Sequence, residues 1–125
     1  MLAGVIPLDA ATFNLLDRGN ERLVKRLIKQ AFVHDVKVLR DASPFYHITD
    51  KATYPRFLIL NTTNRALAVE GAKKFVNKLR ASGTNVQFVP VDDHTHREMA
   101  IGMYDASDPV GSAILMFILH YEPND

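Results

Sequence analysis

The chain has 125 residues, of which 47% are apolar and 23% are charged, and this composition excludes wholesale disorder because it supplies enough apolar surface for one modest core. The formal net charge is +1 at pH 7, so the chain as a whole has no electrostatic preference for nucleic acid or for an anionic membrane. We therefore expect one globular domain over residues 1–125, with neither nucleic acid nor membrane as a partner.

Cysteine is absent from the sequence, which excludes disulfides, thiolate catalysis and cysteine-based zinc sites. The apolar start, Met1 to Pro7, is too short for a signal peptide and lacks a basic leading segment. No apolar run approaches the roughly 20 residues of a membrane span. These features predict a cytoplasmic protein.

The first third of the chain predicts a strand followed by a helix. Leu2 to Leu8 is a short apolar run, typical of a buried strand. Farther on, apolar residues recur at the spacing of one buried helical stripe, whose start Asp17 or Asn20 can cap. The stripe consists of Leu23, Val24, Leu27, Ile28, Ala31 and Phe32. Basic residues lie between these positions, as on a solvated helix face.

The middle of the chain repeats this order. The continuous apolar run Phe57 to Leu60 predicts a central parallel strand that is covered on both faces. A second helical stripe follows, and Gly83 stands where a left-handed residue would end that helix. The stripe consists of Ala68, Val69, Ala72, Phe75, Val76 and Leu79. Val86 to Val91 contains β-branched and aromatic residues and predicts a third strand.

The last quarter of the chain contains a polar loop and a closing helix. The loop is Asp92-Asp93-His94-Thr95-His96, and we expect a short helix after it, with Met99 and Met103 on one buried face. Asp108 and Pro109 then supply a capping residue and a first-turn proline for the final helix. Strands that alternate with helices predict a three-layer α/β fold, in which a short parallel sheet of about three strands is flanked by helices.

Three stretches of the chain together carry a resemblance to a known superfamily. They are Leu2 to Asp9; Ala42-Ser43-Pro44 with His47 and the run Tyr54 to Leu60; and Val86 to Pro90 with the histidine loop and Asp108-Pro109-Val110. In this order and spacing they resemble the C-terminal half of the α/β-hydrolase superfamily, especially small bacterial esterases and lipases. The resemblance implies a partial α/β-hydrolase fold and the hydrolysis of esters by a serine, a histidine and an acid.

The catalytic residues that the resemblance implies are only partly present. The family's nucleophile lies in a G-x-S-x-G turn between a strand and a helix, and this motif does not occur in the sequence. The family's acid follows the strand that ends near Leu60, where Asn64 is the best match. An amide accepts a hydrogen bond from an imidazole but carries no negative charge, and Arg65 would oppose the charge of an imidazolium.

The family's histidine has two candidates in the polar loop. Counting back from Asp108 favours His96, whereas counting forward from Pro90 favours His94. The resemblance assigns to this histidine the role of a general base. His96, His94 and Asn64 are therefore the site residues that the resemblance implies, as remnants of a triad.

The same loop permits a different interpretation. His94 and His96 would point to one side of an extended segment, and Asp92 or Asp93 could complete a zinc or nickel shell. A polar loop in solvent explains these residues without an ion, because no third ligand stands at a recognisable spacing. We expect no metal and no cofactor.

Half of a hydrolase sheet would leave surfaces uncovered. Leu2 to Leu8 would be an edge strand with unpaired backbone groups, beside apolar surface that the absent helices normally cover. We therefore expect association, either as a two-fold homodimer or with a complementing N-terminal hydrolase fragment. Three functions stay open. The first is a hydrolase-derived module without catalysis of its own that acts by self-association or binding. The second is the C-terminal part of a serine carboxylesterase or lipase acting on a small ester, and the third is a metal protein that uses the Asp92 to His96 loop.

Overall fold

The fold is built on a small parallel sheet. The computed structural model describes residues 3–32 and 35–120, and within them three parallel strands lie side by side in the order β1-β2-β3. The strands are β1, Gly4–Val5; β2, Arg56–Thr62; and β3, Val86–Val91. Phe57 of β2 is level with Val5 on one side and with Val86 on the other. The predicted α/β class is confirmed, with three parallel strands between layers of helices.

Five α-helices accompany these strands in the described residues. They are α1, Arg22–Ala31; α2, Val36–Asp41; α3, Ala66–Ala81; α4, His96–Gly102; and α5, Pro109–Leu119. A short 3-10 turn, Pro44–His47, follows α2. α3 packs on one face of the sheet, and α4 and α5 pack on the other. Within the described ranges, no helix has both the length and the apolar character that a bilayer crossing requires.

β2 lies at the centre of the sheet and separates two apolar cores. Ile59 packs on the side of α3, while Leu58 and Leu60 pack on the side of α4 and α5, because successive side chains of a strand alternate between faces. None of these three side chains is more than 1% exposed. On the α3 side, the rings of Phe13 and Phe75 stack with their centroids 4.3 Å apart. Burial on both faces is what the continuous apolar run predicts.

The first strand is shorter than the sequence predicts. Leu2 lies outside the described residues, and ladder pairing covers only Gly4–Val5, with one isolated bridge from Leu8 to Leu60. Pro7 interrupts the ladder because it has no N–H to donate, although its carbonyl accepts a hydrogen bond from the Leu60 N–H at 3.2 Å. β1 therefore pairs with β2 over only two residues.

The first helix forms where it is predicted, but its apolar stripe is not buried. Val24 is buried, whereas Leu23 is 61% exposed and Leu27 is 52% exposed. The helix lies at the periphery, where it makes little contact with the strands and helices of the described residues. The expectation of one buried stripe is wrong. Amphipathic spacing shows that a helix has an apolar face, but it does not show that another part of the chain packs against that face.

Of the predicted helix ends, two are confirmed and one is wrong. Gly83 follows α3 with a φ of 86°, the left-handed conformation expected there. Asp108 precedes α5, and its side chain accepts a hydrogen bond from a first-turn N–H. Neither Asp17 nor Asn20 caps α1, which begins after Glu21 without a side-chain capping bond.

The two methionines of α4 do not share a buried face. Met99 is 0% exposed, whereas Met103 is 41% exposed. α4 ends at Gly102, so Met103 belongs to the turn that leads into α5. The predicted pair at helical spacing is wrong because the helix is one residue too short to contain both.

Candidate functional site

Polar side chains meet at the edge of the sheet where the strands end. Asp9 follows β1, Asn64 and Arg65 follow β2, and His94 and His96 follow β3. The carboxyl ends of neighbouring parallel strands lie side by side, so residues that are distant in the sequence come together there. This edge contains all three residues that the resemblance implies, namely His96, His94 and Asn64.

Asp9 is held in an uncommon backbone conformation. Its φ is +50°, in the left-handed region that aspartate tolerates better than most side chains. Its N–H donates to the Leu60 carbonyl at 2.6 Å, and its Oδ1 accepts from the Thr62 N–H at 3.0 Å. The turn thus directs the carboxylate over the end of β2, where only 1% of the side chain is exposed.

His96 contacts this buried carboxylate. Its Nδ1 lies 2.5 Å from Oδ2 of Asp9, a residue 87 positions away in the sequence. His96 is the first residue of α4, and a capping box of Thr95 with Glu98 holds the start of that helix. The His96 side chain is 66% exposed, and no described residue hydrogen-bonds to its Nε2. With the Nδ1–H directed at Asp9, the Nε2 lone pair faces solvent.

Arg65 completes a charged cluster around Asp9. Its Nη1 lies 3.3 Å from Oδ2 of Asp9, and its Nε lies 3.6 Å from Oε1 of Glu21. The same Nη1 is 3.5 Å from Nδ1 of His96, but both nitrogens carry hydrogens directed at Asp9, so neither accepts from the other. One buried carboxylate is therefore shared by the imidazole and the guanidinium, and Glu21 offers the guanidinium a second negative charge.

His94 uses both of its ring nitrogens in contacts within the loop region. Its Nε2 lies 2.8 Å from Oδ2 of Asp108, and its Nδ1 lies 2.9 Å from the Asp92 carbonyl. The Asp108 hydrogen bond, and after it the Asp92 hydrogen bond, raises the pKa of His94. The hydrogen bonds from His94 and from the Val110 N–H lower the pKa of Asp108. Of the two candidate histidines, only His96 has a free ring nitrogen.

Asn64 forms no hydrogen bond with the imidazole of His96. Its Nδ2 donates to the His94 carbonyl at 2.9 Å, and its own N–H donates to Oγ1 of Thr62 at 3.2 Å. The Thr62 hydroxyl donates to the same His94 carbonyl. The tight turn after β2 thus places Asn64 against the backbone of the histidine loop instead of the imidazole. This corrects the implied assignment: the acid that contacts His96 is Asp9.

None of the described hydroxyl groups is placed as a nucleophile beside His96. Ser43 and Ser82 each donate to a nearby backbone carbonyl at 2.6 Å, and Ser107 donates to the Asp105 carboxylate at 2.7 Å. No serine or threonine hydroxyl in the described ranges hydrogen-bonds to Nε2 of His96. The Asp9–His96 pair therefore combines a base and an acid without a serine.

The polar loop does not assemble a metal shell. Among the described residues, no three histidine or carboxylate side chains are grouped closely enough to hold an ion. His94 and His96 turn toward different carboxylates, those of Asp108 and Asp9. The expectation that they point to one side is wrong because the segment is not extended: Asp93 has a φ of +59°, and α4 begins at His96.

Compared with family models, with curated proteins and with solved structures, the chain has no match. The resemblance to α/β-hydrolases therefore stays a prediction. The geometry of the Asp9–His96 pair is the observation from which a function can be argued.

The sequence marks Asp9 only as the last residue of the first resembling stretch, and its place in the site was not predicted. The available signal was its position, because polar residues directly after buried parallel strands occupy the edge where such sheets carry their sites. Its partner, 87 residues away, is not readable from spacing. Glu21, whose carboxylate lies 3.6 Å from Arg65, was missed for the same reason.

Proposed function

We propose that this chain contributes the acid and the histidine of an ester-hydrolase active site, and that the nucleophilic serine comes from outside these 125 residues. The observation that carries the proposal is the Asp9–His96 pair, in which Nδ1 lies 2.5 Å from a buried carboxylate while the ring is 66% exposed. A histidine held in this way is oriented as a general base. By itself the chain is without catalysis and acts by binding the segment that bears the serine.

Each atom of the pair has a defined role in acyl transfer. Nε2 of His96 takes the proton of the serine as its oxygen attacks the ester carbonyl, and then returns that proton to the leaving alcohol. Asp9 holds the ring in the tautomer with hydrogen on Nδ1 and stabilises the imidazolium that forms. Nε2 then takes a proton from water as the water oxygen attacks the acyl carbonyl, and it gives that proton to the serine oxygen as the carboxylic acid leaves. The Thr62 N–H and Arg65 hold the Asp9 carboxylate in position.

The outer edge of β1 is where we propose that the serine-bearing segment binds. β1 pairs with β2 on one side, and no described strand lies on its other side. A parallel strand added there would end beside Asp9, because the carboxyl ends of parallel strands share one edge of a sheet. An apolar groove adjoins this edge and favours the docking of a further layer. The groove is lined by Ala3, Gly4, Ile6, Arg56, Phe117 and Ile118.

The substrate class that we propose is a small carboxylic ester, and the compartment is the cytoplasm. The His96 side chain is 66% exposed, so a small ester can approach Nε2 directly. The absence of cysteine fits a reducing compartment.

The reactivity of a serine toward a fluorophosphonate tests this proposal. The tagged chain is purified from its host together with whatever is bound or joined to it, and the sample is treated with the probe. We expect labelling of a serine outside these 125 residues. His96→Gln should slow this labelling, and the hydrolysis of p-nitrophenyl acetate, by about 10²- to 10⁴-fold, the usual contribution of a general base.

His47→Gln is the matched control, because His47 is also exposed but its ring contacts the Asp41 carbonyl at 2.6 Å. It should leave the labelling rate unchanged. Labelling that is equally fast with Gln at position 96, or a purified sample without any probe-reactive serine, would contradict the proposal and favour a binding module without a hydrolytic role.

A further inference from the structure

A groove between α1 and α2 has an apolar floor. It encloses about 480 Å³, within the range of about 300–1,000 Å³ that is usual for small-ligand pockets. The floor is formed by half-buried side chains of Leu15, Ile28, Phe32 and Leu39. None of these residues belongs to the Asp9–His96 pair or touches it, so the groove is a separate feature of the molecule.

Four exposed cations of α1 line the same groove. They are Arg22, Lys25, Arg26 and Lys29. Two pairs of like charge stand four residues apart, Arg22 with Arg26 and Lys25 with Lys29, so they are neighbours on one face of the helix. None of the four forms an ion pair with a described residue, although the charge of Lys25 contributes to lowering the pKa of Asp17. The first turn of α1 contains no acidic residue.

Part of this arrangement disfavours the helix. Like charges four residues apart repel each other, and Arg22 at the helix N-terminus opposes the helix dipole, whereas Lys29 in the last turn is favourable. Glu21, which precedes the helix, directs its carboxylate to Arg65 and not to these cations. A negatively charged group bound in the groove would reduce the repulsion, and the apolar floor favours a ligand that also has a hydrocarbon part.

We propose that the groove binds a free fatty acid. Its alkyl chain lies on the apolar floor, and its carboxylate accepts paired hydrogen bonds from the Arg22 and Arg26 guanidinium groups, the planar donors that match a carboxylate best. An inorganic anion could pair with the guanidinium groups, but it has no apolar part to contact the floor of the groove. An anionic bilayer would instead engage the exposed Leu23 and Leu27, which do not line the groove. The proposal does not rest on the hydrolase function.

Calorimetric titration of the full chain with octanoate, decanoate and 1-decanol, all as monomers, tests the proposal. Decanoate should bind more tightly than octanoate by up to about 15-fold, since each buried methylene contributes close to fourfold. It should bind more tightly than 1-decanol by at least about tenfold, because the alcohol lacks the charge. Phosphatidylglycerol vesicles are titrated in parallel and should compete poorly with the monomeric fatty acid.

Two double variants separate the recognition of charge from general electrostatics. Arg22→Gln with Arg26→Gln should weaken decanoate at least about tenfold and leave 1-decanol unchanged. The control, Lys51→Gln with Lys73→Gln, removes two exposed cations elsewhere and should change neither affinity. Leu39→Asp should weaken both ligands, and circular dichroism confirms that each variant is folded.

Three results would each overturn the proposal. Decanoate and 1-decanol could bind with equal affinity, or the double variant at Arg22 and Arg26 could bind decanoate as tightly as the native chain does. The third result is that none of the three ligands binds. Binding to vesicles alone, lost on Leu23→Glu with Leu27→Glu, would assign α1 to a membrane surface instead.

Discussion

The backbone at Asp9 and the carboxylate that it carries are constrained together. The residue has a φ of +50°, and its side chain is 1% exposed beside Thr62, Arg65 and His96. A replacement can therefore remove the charge, the tolerance of left-handed backbone, or both. Asparagine removes the charge but tolerates this region and keeps an amide oxygen that can accept from the Thr62 N–H. Alanine removes the charge, that acceptor and the tolerance.

We expect Asp9→Asn to lower the free energy of unfolding by about 1–3 kcal/mol, because it leaves donors of the cluster without an ionised acceptor. Asp9→Ala should cost roughly a further 1–2 kcal/mol, the penalty of left-handed backbone for a residue with a Cβ and no polar group. Urea denaturation measures both values. Equal losses for the two variants would show that the backbone conformation contributes nothing to the difference.

The second histidine–carboxylate pair, His94 with Asp108, predicts a dependence of stability on pH. The pKa of His94 is raised from 6.5, mainly by Asp108, so its contribution is fully present below that value and is lost as the pH rises through the raised pKa. The pKa of Asp108 is lowered from 3.8, mainly by His94, so its contribution is present above that value and is lost as the pH falls through the lowered pKa.

The stability difference between the native chain and His94→Gln should therefore be largest between pH 3.8 and 6.5 and should decline as the pH rises through the raised pKa of His94. Urea unfolding at several pH values measures it. Asp108→Asn, which keeps a good capping residue for α5, should show the same pH range, and the double variant should lose little more than either single one. If the difference in unfolding free energy between the native chain and His94→Gln does not vary with pH, the His94–Asp108 pair does not contribute to stability as proposed.

At the scale of elements, two helical glycines are expected to respond in opposite directions. A Cβ at Gly111 in α5 would overlap with the Asp105 carbonyl and lie 2.7 Å from the Gly102 carbonyl, whereas a Cβ at Gly71 in α3 would meet nothing within 4 Å. The close approach of α5 to the turn after α4 therefore depends on Gly111. The open position of Gly71 makes it a matched reference.

Gly111→Ala should lower the free energy of unfolding by about 1–3 kcal/mol, because the turn or the helix must move to admit the methyl group. Gly71→Ala should raise it by about 0.5–1 kcal/mol, because alanine loses less backbone entropy than glycine in a helix. Thermal unfolding of the two variants measures the sign of each effect. A destabilised Gly71→Ala variant would mean that this face of α3 is covered by something else.

At the scale of the whole molecule, the uncovered apolar surface is where we expect the chain to associate. Ile118 of α5 lines the groove beside the outer edge of β1, while Ile101 of α4 does not. The two side chains have the same exposed fraction, 58%. We propose that, without its serine-bearing partner, the chain forms a homodimer through the edge of β1 and α5.

Ile118→Glu should shift the purified chain from dimer to monomer, because a charge would be buried at the interface. Ile101→Glu changes the same residue type at equal exposure and should leave the dimer intact. Sedimentation velocity at several concentrations measures both. A dimer that survives Ile118→Glu, or a native chain that is monomeric throughout, would contradict this interface.

Local patterns were sufficient to predict the fold class and the central elements. The apolar run of β2, the stripe of α3, the left-handed Gly83 and the cap of α5 at Asp108 all lie where the sequence predicts them. Each depends on neighbours within a few residues, and parallel strands alternating with helices follow from their order. The position of the candidate site at the ends of the strands is predictable on the same basis.

Contacts between distant segments were decided only when the chain folded. The resemblance to α/β-hydrolases implies Asn64 as the match to the acid. In the structure, the turn after β2 places Asn64 on a carbonyl, and the left-handed turn at Asp9 brings a buried carboxylate to His96 instead. The exposure of Leu23 likewise depends on whether another element reaches α1. Periodicity states which side chains share a face, whereas packing in three dimensions determines what that face meets.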